Sequence, residues 1–403
     1  MLIIIAWRNI WRNRLRSIVV ILSIAIGLWA GVFTMALVNG MTEQRTRGTI
    51  RTFVSHVQVH TPEYVADPDE RYYIEDPLNL YAVLDTLTGV FAYSPRMRLG
   101  GMSSSPTGAT GVMIYGIDPD VEQTVTDIHS RITTGSYFTS EYRNPIVVGE
   151  KLAEKLKVHE RSKIVLTFQD ENGDLTAGAF RIVGLFKTDN SVLDATNVFV
   201  TQESIARLYG SLRTHEVAVF ATSLEESVPI REAVNQAVPD VEARYWGQIS
   251  PELGYTADVL DQSLYIFVLI ILLAMAFGIV NSMLMAVLER RHELGMLLCI
   301  GMSKGRIFAM IVLETVFVTS VGGPLGLAMA SGSVSFFNHR GIDLSVVGEG
   351  LQSLGMATVV YPALGLTYYV NITLMVVATA LIAALYPARK AISYPPAEAI
   401  RTL

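Results

Sequence analysis

Four long apolar runs punctuate the chain, and they are unevenly spaced. The first covers 17–40, and the other three are crowded into the last third of the 403 residues, at 263–288, 307–334 and 368–388. Each run approaches or exceeds the roughly 20 residues that a helix needs to cross about 30 Å of hydrocarbon. The pattern predicts a membrane protein with four transmembrane helices, in which the polar stretch 41–262 forms one large domain between the first helix and the second.

The polar stretch 41–262 has the pattern of a mixed α/β domain. Segments that alternate or run apolar as strands do are 54–60, 109–117, 163–169, 179–187, 197–200 and 216–221. Segments with helical spacing are 78–87, 149–156, 204–208 and 224–237. Residues 170–174, Asp-Glu-Asn-Gly-Asp, have the composition of a hairpin turn. We expect two subdomains, with the inner one inserted at about 119–210.

Shorter segments complete the predicted layout. Residues 1–16 carry Arg8, Arg12 and Arg16 at every fourth position against an apolar face with two tryptophans, which is typical of an elbow helix lying in the membrane interface. The simpler alternative is that these arginines only set the topology. The remaining predicted segments are a cytoplasmic helix at 289–306, an extracytoplasmic loop at 335–367 and a cytoplasmic tail at 389–403.

The distribution of charge indicates the orientation in the membrane. Basic residues cluster before the first run, between the second and third runs, and after the fourth; they are Arg8, Arg12, Arg14, Arg16, Arg290, Arg291, Lys304, Arg306, Arg389, Lys390 and Arg401. The stretch 41–262 carries 19 Lys and Arg against 31 Asp and Glu. Short basic loops stay in the cytoplasm, whereas long domains are translocated largely regardless of charge. We therefore expect both termini inside and the domain outside, and its acidity argues against nucleic-acid binding.

Patterns for catalysis or metal binding are missing from the sequence. The chain has no G-x-x-x-x-G-K-[ST] phosphate loop and no G-x-S-x-G nucleophile motif. His56 and His60 would suit a metal on a helix, but in their strand-like run this spacing is about 13 Å. Cys299 is the single cysteine, and its apolar neighbours favour a buried side chain over a reactive thiol. We predict no catalytic residue, no metal site and no disulfide.

Small residues recur in three of the runs at the four-residue spacing that lets membrane helices approach closely. They are Gly27, Gly31, Ala274, Gly278, Ser282, Gly322 and Gly326. Larger residues on the other faces of the first two runs are predicted to meet acyl chains; they are Leu28, Phe33, Met35, Phe267, Leu273 and Phe277. Of these, Phe33, Phe267 and Phe277 mark a candidate substrate path. The alternative is that all six only face bulk lipid.

Two polar residues, Asn281 and Glu314, stand out within the runs. A carboxylate in the membrane is costly and is by default a candidate functional group. Glu314 lies two turns past Arg306, near the cytoplasmic end of the third run, where it can pair or reach water. Its role is therefore either a structural polar contact or conformational coupling.

The cytoplasmic segment 289–306 has an apolar side and charge at both ends. The apolar residues at helical spacing are Leu294, Leu297, Leu298 and Met302, and the rim residues are Arg290, Arg291 and Glu293. A short amphipathic helix between two spans is a lever, because whatever binds it can move both spans. We predict that these residues form a docking face for a partner.

This segment, E-R-R-x-E-L-G-x-L-x-x-I-G, resembles the coupling segment of the MacB/FtsX-type ABC permeases. Trp7-Arg8-Asn9, Glu314 followed by Gly322-Gly323-x-x-Gly326, and the ending Tyr386-Pro387-Ala388-Arg389-Lys390-Ala391 are also similar. The resemblance implies a bacterial inner-membrane protein with a Porter/Sabre-like domain, paired with a second permease subunit as a homo- or heterodimer. A cytoplasmic ABC ATPase dimer would grip the coupling segment and bind ATP and Mg²⁺, so no cofactor is expected in this non-catalytic chain.

Within that family the chain most resembles lipoprotein-releasing permeases of the LolC/LolE kind. The grounds are a length near 400 residues, four spans, no fused ATPase and the stretch Ser55-His56-Val57-Gln58-Val59-His60. This implies extraction of lipoproteins from the outer leaflet, with lipid-bearing cargo, membrane lipids and a periplasmic carrier protein as partners. The alternatives are a MacB-like exporter of small molecules or peptides and an FtsX-like mechanotransducer that activates a cell-wall hydrolase. A receptor without an ATPase is disfavoured, because it needs no apolar cytoplasmic helix.

Overall fold

The computed structural model describes residues 2–12, 14–138 and 142–393. The chain forms two compact units. The helical unit contains Met1–Met41, Asp258–Asp343 and Val359–Leu403, and the domain unit contains Thr42–Ala257 and Leu344–Thr358.

Helices and strands alternate through the domain unit, and helices dominate the rest. The α-helices are α1 (Leu2–Arg12), α2 (Arg14–Thr49), α3 (Pro62–Ala66), α4 (Pro77–Thr86), α5 (Pro119–Val125), α6 (Glu150–Leu156), α7 (Ser191–Thr196), α8 (Gln202–Tyr209), α9 (Ser227–Ala237), α10 (Trp246–Ile249), α11 (Pro251–Glu289), α12 (Arg291–Cys299), α13 (Lys304–Arg340), α14 (Gly348–Ser353) and α15 (Leu366–Ile392). The strands are β1 (Val57–His60), β2 (Val90–Ser105), β3 (Gly108–Ile117), β4 (Ile132–Gly135), β5 (Pro145–Gly149), β6 (Lys163–Gln169), β7 (Leu175–Phe186), β8 (Asn197–Thr201), β9 (Glu216–Ala221), β10 (Glu242–Tyr245), β11 (Ile342–Asp343) and β12 (Val359–Val360). A π-helical turn, Ile50–Val54, follows α2, and 3₁₀ turns cover Ile128–Arg131 and Ser345–Val347.

Four helices of the described chain, α2, α11, α13 and α15, are long and apolar enough to cross a membrane, which confirms the predicted number of spans. Each extends beyond the apolar run that predicted it. The reason is that the length of an apolar run follows the hydrocarbon thickness, whereas helical hydrogen bonding continues into polar sequence. The stretch 335–367, expected as a loop, contains the last turns of α13 together with α14 and the short pair β11–β12.

Large apolar side chains fill the core of the helical unit. One face of α11 is buried along its length, through Leu264, Val268, Leu272, Met275, Ile279, Met283 and Val287. These residues recur every third or fourth position, as a buried helical stripe requires. Trp29 Nε1 donates to Ser333 Oγ at 3.1 Å and links α2 to α13. The helices are therefore joined by apolar contact with a few polar ties.

Ten strands of the domain unit form one sheet, in the order β10-β1-β9-β2-β3-β8-β5-β7-β4, and β6 pairs with β2 and β7. The long strand β2 joins the two parts of the sheet, because its first half pairs with β9 and its second half with β3 and β6. One apolar core lies around Val57, Val219 and Ile230, and another around Leu166 and Phe180. Residues 119–210 contribute β4 to β8 of this shared sheet.

All six predicted strands and all four predicted helices of the domain are present within a few residues of their expected bounds. β6 and β7 pair antiparallel around 170–174, where Gly173 has a φ of +83°, so the predicted hairpin turn is confirmed. The sequence missed β2, β4, β5 and β10. β2 contains Pro95, two glycines and several serines, which interrupt the pattern of a strand.

Candidate coupling site

The segment between α11 and α13 folds as a short helix and a tight turn. α12 ends before Gly301, whose φ of +97° lies in the left-handed region that glycine adopts without strain. The amides of Gly301 and Met302 donate to the carbonyl oxygens of Leu298 and Leu297 at 3.1 and 3.0 Å. These bonds satisfy carbonyls that a helix end leaves without partners. The turn makes the helix shorter than the predicted segment 289–306.

The apolar face predicted for this segment turns inwards. Leu294 is 6% exposed, and Leu297, Leu298 and Met302 are partly buried against the core of the helical unit. The prediction that Leu294 contacts a partner is therefore wrong, because its own chain already covers it. Leu297, Leu298 and Met302 also pack partly against the core of their own chain.

A different apolar surface points outwards at the end of α12. Ile300 is 83% exposed and Met296 is 44% exposed; we call these two residues the loop tip. Cys299 is also exposed, contrary to the burial predicted from its neighbours. Lys304 and Arg306 are exposed nearby in the sequence. The loop tip is therefore the part of this segment whose apolar side chains its own chain leaves exposed.

A chain of ion pairs holds the base of the segment. Arg12 Nη2 donates to both carboxylate oxygens of Glu293, at 2.6 and 2.8 Å. Arg290 Nε lies 3.5 Å from Glu293 Oε2, and Arg290 Nη1 lies 3.1 Å from Glu314 Oε1. Burial raises the pKa of Glu293, but Arg12 and Arg290 outweigh it and hold this pKa below its usual range. Two of the predicted rim residues are thus tied to α1 and α13, and Arg291 is exposed.

Glu314 pairs with Arg290 of the coupling segment. Its side chain is 10% exposed. The apolar residues around the pair are Met283, Ala286, Val287, Leu294, Met310 and Ile311. An unpaired carboxylate would be costly there, and the guanidinium of Arg290 compensates it. The ion pair connects the coupling segment to the span that follows, a geometry that fits both roles predicted for Glu314.

The elbow helix α1 packs against α13 through aromatic side chains. Trp7 meets Phe317 edge to face with ring centroids 5.5 Å apart, and it meets Trp11 at 6.1 Å. Ile3 and Ile4 are 62% and 64% exposed, as expected for a helix whose apolar side meets interfacial lipid. Helix α1 therefore contacts α13 through its aromatic side chains and the coupling segment through Arg12.

Close helix contacts involve only some of the predicted small residues. A Cβ at Gly322 would lie 2.9 Å from the Ile21 carbonyl oxygen, and one at Gly326 would lie 2.7 Å from that of Ala25. These two glycines therefore let α13 approach the backbone of α2. A Cβ at Gly27 would lie 3.4 Å from Met275 of α11, an ordinary van der Waals distance.

The small-residue stripe of α11 does not pack within the chain. Among the described residues, no neighbouring atom would come within 4 Å of a Cβ built at Gly278 or at Gly31. Ala274 and Asn281 are exposed, and Ser282 is half-buried. The predicted packing role of this stripe is wrong inside one chain, because the larger side chains on the opposite face of α11 fill the core.

Replacing Gly326 with alanine is expected to destabilise the helical unit by about 1–3 kcal/mol, the usual cost of overpacking. The added methyl group would meet the Ala25 carbonyl oxygen and, at 3.0 Å, Leu28 Cβ. Gly332, on the same helix, is a matched control, because no described neighbour lies within 4 Å of a Cβ built at this position. Gly332→Ala should be neutral or slightly stabilising, since alanine is the better helix former. The measurement is thermal unfolding of the purified protein; equal destabilisation by both changes would contradict the contact.

The residues predicted to meet acyl chains divide into two groups. Phe267, Leu273 and Phe277 are 58%, 62% and 78% exposed on α11. Leu28 and Met35 are buried, so the prediction for these two is wrong. The close approach of α13 covers their side of α2.

Phe33 also departs from the predicted path. Its ring stacks on Trp29 and meets the edge of Phe337, with centroids 5.8 Å apart in both pairs. α2 instead exposes Leu22 and Ile26, at 44% and 51%. The outward surface of this span is therefore aliphatic.

His56 and His60 act as hydrogen-bonding groups in the domain unit. His56 Nδ1 accepts from the Ala221 amide at 3.1 Å, and His60 Nδ1 lies 3.0 Å from the His215 carbonyl oxygen. Burial, with a smaller effect of Arg51, lowers the pKa of His56 to about 4, so its ring is neutral at pH 7. Within 2–12, 14–138 and 142–393, no three His, Cys, Asp or Glu side chains cluster as metal ligands.

Comparison with known protein families finds two matching regions. Residues 17–239 match the MacB-like periplasmic core domain, and residues 265–396 match the FtsX-like permease C-terminal region. The chain belongs to the MacB/FtsX-type ABC transporter permeases. The predicted family is thus confirmed, as is a large α/β domain inserted between the first and second of four spans.

Several relatives of this permease align along its whole length. It is 24% identical to the lipoprotein-releasing system transmembrane protein LolC of Neisseria meningitidis, over 97% of this chain and 95% of LolC. It is 25% identical to the pyoverdine export ATP-binding/permease protein PvdT of Pseudomonas aeruginosa, over 98% of this chain but only 58% of PvdT. The solved periplasmic region of MacB from Actinobacillus actinomycetemcomitans aligns with 52% of the permease at 12% identity and a TM-score of 0.36.

The permease is a multi-pass protein of the inner membrane, with its large domain on the periplasmic side. Membership of the family implies a cytoplasmic ATPase partner and a second permease subunit. The loop tip lies in the short connection between the second and third spans, on the cytoplasmic side, and the ion pairs tie this connection to α1 and α13.

Proposed function

We propose that this permease couples ATP hydrolysis by a separate cytoplasmic ABC ATPase to movement of its periplasmic domain, and that its cargo is lipoprotein in the outer leaflet of the inner membrane. ATP and Mg²⁺ bind to the ATPase, and this chain supplies no catalytic residue. A second permease subunit completes the path, and a periplasmic carrier protein accepts the extracted lipoprotein.

The apolar ridge on α11 is the observation that carries the choice of cargo. Ile266, Ile270, Leu273 and Phe277 recur every third or fourth position and are 56–78% exposed. A lipid-anchored protein needs such a surface, because its acyl chains must stay in contact with apolar groups as it leaves the bilayer. The similarity to LolC over 97% of the chain supports the same cargo.

The cytoplasmic side supports coupling to an ATPase. The loop tip offers exposed apolar side chains to a partner, while the ion pairs tie the base of the same segment to α1 and α13. Movement of the loop tip therefore displaces α1 and α13 as well as α12. α2 and α11 are continuous in sequence with the two ends of the periplasmic domain.

Photo-crosslinkers at Phe277 and Ile26 are expected to capture lipoprotein in the nucleotide-free complex and to lose it when ATP is added. Both positions are exposed on spans that connect directly to the periplasmic domain. Phe33 is the matched control, because its ring is covered by aromatic neighbours of its own chain and should give no cargo adduct. The measurement is mass spectrometry of the purified adducts.

The similarity to PvdT favours a second candidate, export of a small molecule or peptide. Adducts of such compounds at the same positions, without lipoprotein, would favour that candidate. Adducts with phospholipid alone, unchanged by ATP, would contradict extraction of lipid-bearing cargo. Movement of the domain with ATP but without any cargo adduct would favour a mechanotransducer that activates a cell-wall hydrolase.

A further inference from the structure

The end of α2 has an unusual backbone geometry within the domain unit. Beyond Thr49 the helix continues as the π-helical turn Ile50–Val54, which is largely buried. Such turns are rare and are frequent at functional sites. Ser55 then reverses the chain direction with a φ of +61°. A non-glycine residue is strained in this conformation and keeps it only where the surroundings fix it.

Three carbonyl groups at this helix end accept hydrogen bonds from three separate parts of the domain. The pairs are Arg51 with the Asp127 amide at 2.9 Å, Phe53 with Arg96 Nη1 at 3.0 Å and Val54 with Gln58 Nε2 at 2.9 Å. The last carbonyls of a helix lack intrahelical partners and form the negative end of its dipole. The positive guanidinium of Arg96 is therefore well placed at this helix end.

Arg96 is the centre of a buried charged cluster. It is 1% exposed, and its Nη2 and Nε bind the two oxygens of Glu122 at 2.6 and 3.1 Å. Its Nη1, which also binds the helix end, lies 2.7 Å from Glu216 Oε1. The hydroxyls of Ser94 and Thr126 donate to Glu122 at 2.8 and 3.0 Å. Burial raises the pKa of Glu216, but Arg96, His60 and Arg98 together more than offset this and keep that pKa below its usual range.

The cluster joins elements that are far apart in the chain. Arg96 lies on β2 and is directly opposite Glu216 on β9 in the antiparallel pair, and Glu122 belongs to α5. Buried ion triads add little net stability compared with apolar residues of the same size, and their best-attested use is to fix geometry. One guanidinium nitrogen here holds the sheet and the helix end together.

We propose that Arg96 is a positioning residue that locks the end of α2 to β2 and β9. When α2 is displaced, the sheet then moves with it, and the turn at Ser55 does not bend to take up the displacement. α2 is a continuous helix of 36 residues, about 54 Å long at 1.5 Å per residue, and can act as a rigid rod. The inference rests on the proposed function, because the ATPase supplies the displacement.

The test removes the charges of the cluster while keeping its volume. The variant is Arg96→Met with Glu122→Gln and Glu216→Gln, which removes the three charges of the cluster together. The matched control is Arg213→Met with Glu171→Gln, an ion pair of the same domain that is not part of the Arg96 cluster. Gln58→Met is a second variant, which removes one bond to the helix end without changing a charge.

Spin labels on unnatural amino acids at Arg47, on α2, and Gln236, on α9, report the distance between the helix and the domain in the full complex.

The wild type and the Arg213 control should show one narrow distance distribution that ATP does not change. The triple variant should show a broadened or ATP-dependent distribution and keep its basal ATP hydrolysis, while cargo release falls by about tenfold, an effect typical of coupling residues. Gln58→Met should show the same changes to a smaller degree. A narrow, ATP-independent distribution with normal cargo release in both variants would overturn the lock. Absence of ATP-driven cargo release in the wild type would instead overturn the proposed function, and the distance distributions would still test the lock.

Discussion

Ile300→Asp is expected to abolish association of the permease with its ATPase. Ile300 is 83% exposed at the loop tip, and burying such a side chain in an interface contributes about 1.5–3 kcal/mol. Losing that contribution weakens binding by about 10- to 150-fold, and a desolvated aspartate without a partner adds a further cost. The measurement is the affinity of the ATPase for the purified permease, together with permease-stimulated ATP hydrolysis.

Val346→Asp is the control for this substitution. Val346 is 98% exposed, and it lies in the connection between the third and fourth spans, on the periplasmic side. The same chemical change there should leave ATPase binding unaltered and the protein inserted in the membrane. If Ile300→Asp keeps the affinity of the wild type, the loop tip is not the docking surface.

Arg290→Met is expected to destabilise the permease by about 3–5 kcal/mol, the usual cost of removing one partner of a buried ion pair. The carboxylate that loses this partner is Glu314, whose side chain is 10% exposed among apolar residues. Arg290→Met combined with Glu314→Gln should recover most of the loss, since neither position then carries a charge. The measurement is the free energy of unfolding of the purified protein for the wild type, for Arg290→Met and for the double variant.

Arg47→Met provides the comparison for an exposed pair. Arg47 lies 2.6 Å from Glu43 on the surface of α2, and such pairs contribute about 0–1 kcal/mol. An Arg290→Met effect as small as that of Arg47→Met, or a double variant no better than the single one, would contradict the assignment of Arg290 and Glu314 as a coupled buried pair. If the double variant is stable but no longer stimulates the ATPase, the pair also acts in coupling.

Features that depend on local sequence were predicted well. The number of spans follows from runs of about 20 apolar residues, because hydrocarbon imposes that length on each helix separately. Strands such as β6 and β9 and the hairpin turn at Gly173 were also predicted, because apolar strand patterns and turn composition are local features of the sequence. β2 was missed because its neighbours β3, β6 and β9 supply the hydrogen bonds that hold a sequence with weak strand preference.

The partners of polar groups were decided by tertiary structure. The sequence indicated that Glu314 could pair or reach water but named no partner, and in the structure it pairs with Arg290, 24 positions earlier in the chain. The cluster around Arg96 was not predicted, since its carboxylates come from positions 122 and 216. The sequence signal was limited to two arginines, Arg96 and Arg98, at alternate positions in a segment not recognised as a strand.

The sequence by itself determined that this protein is a four-span membrane protein of a known permease family, which way it faces, and that its periplasmic domain is a mixed α/β domain. Only the tertiary structure decided which apolar residues face protein and which face outwards: Leu28 and Leu294 are buried, while Phe277 and Ile300 are exposed. The physical reason is that lipid and protein interior are both apolar, so in a membrane helix the hydrophobic pattern does not separate the two faces. Contacts between helices make that choice, and they depend on residues that are distant in the chain.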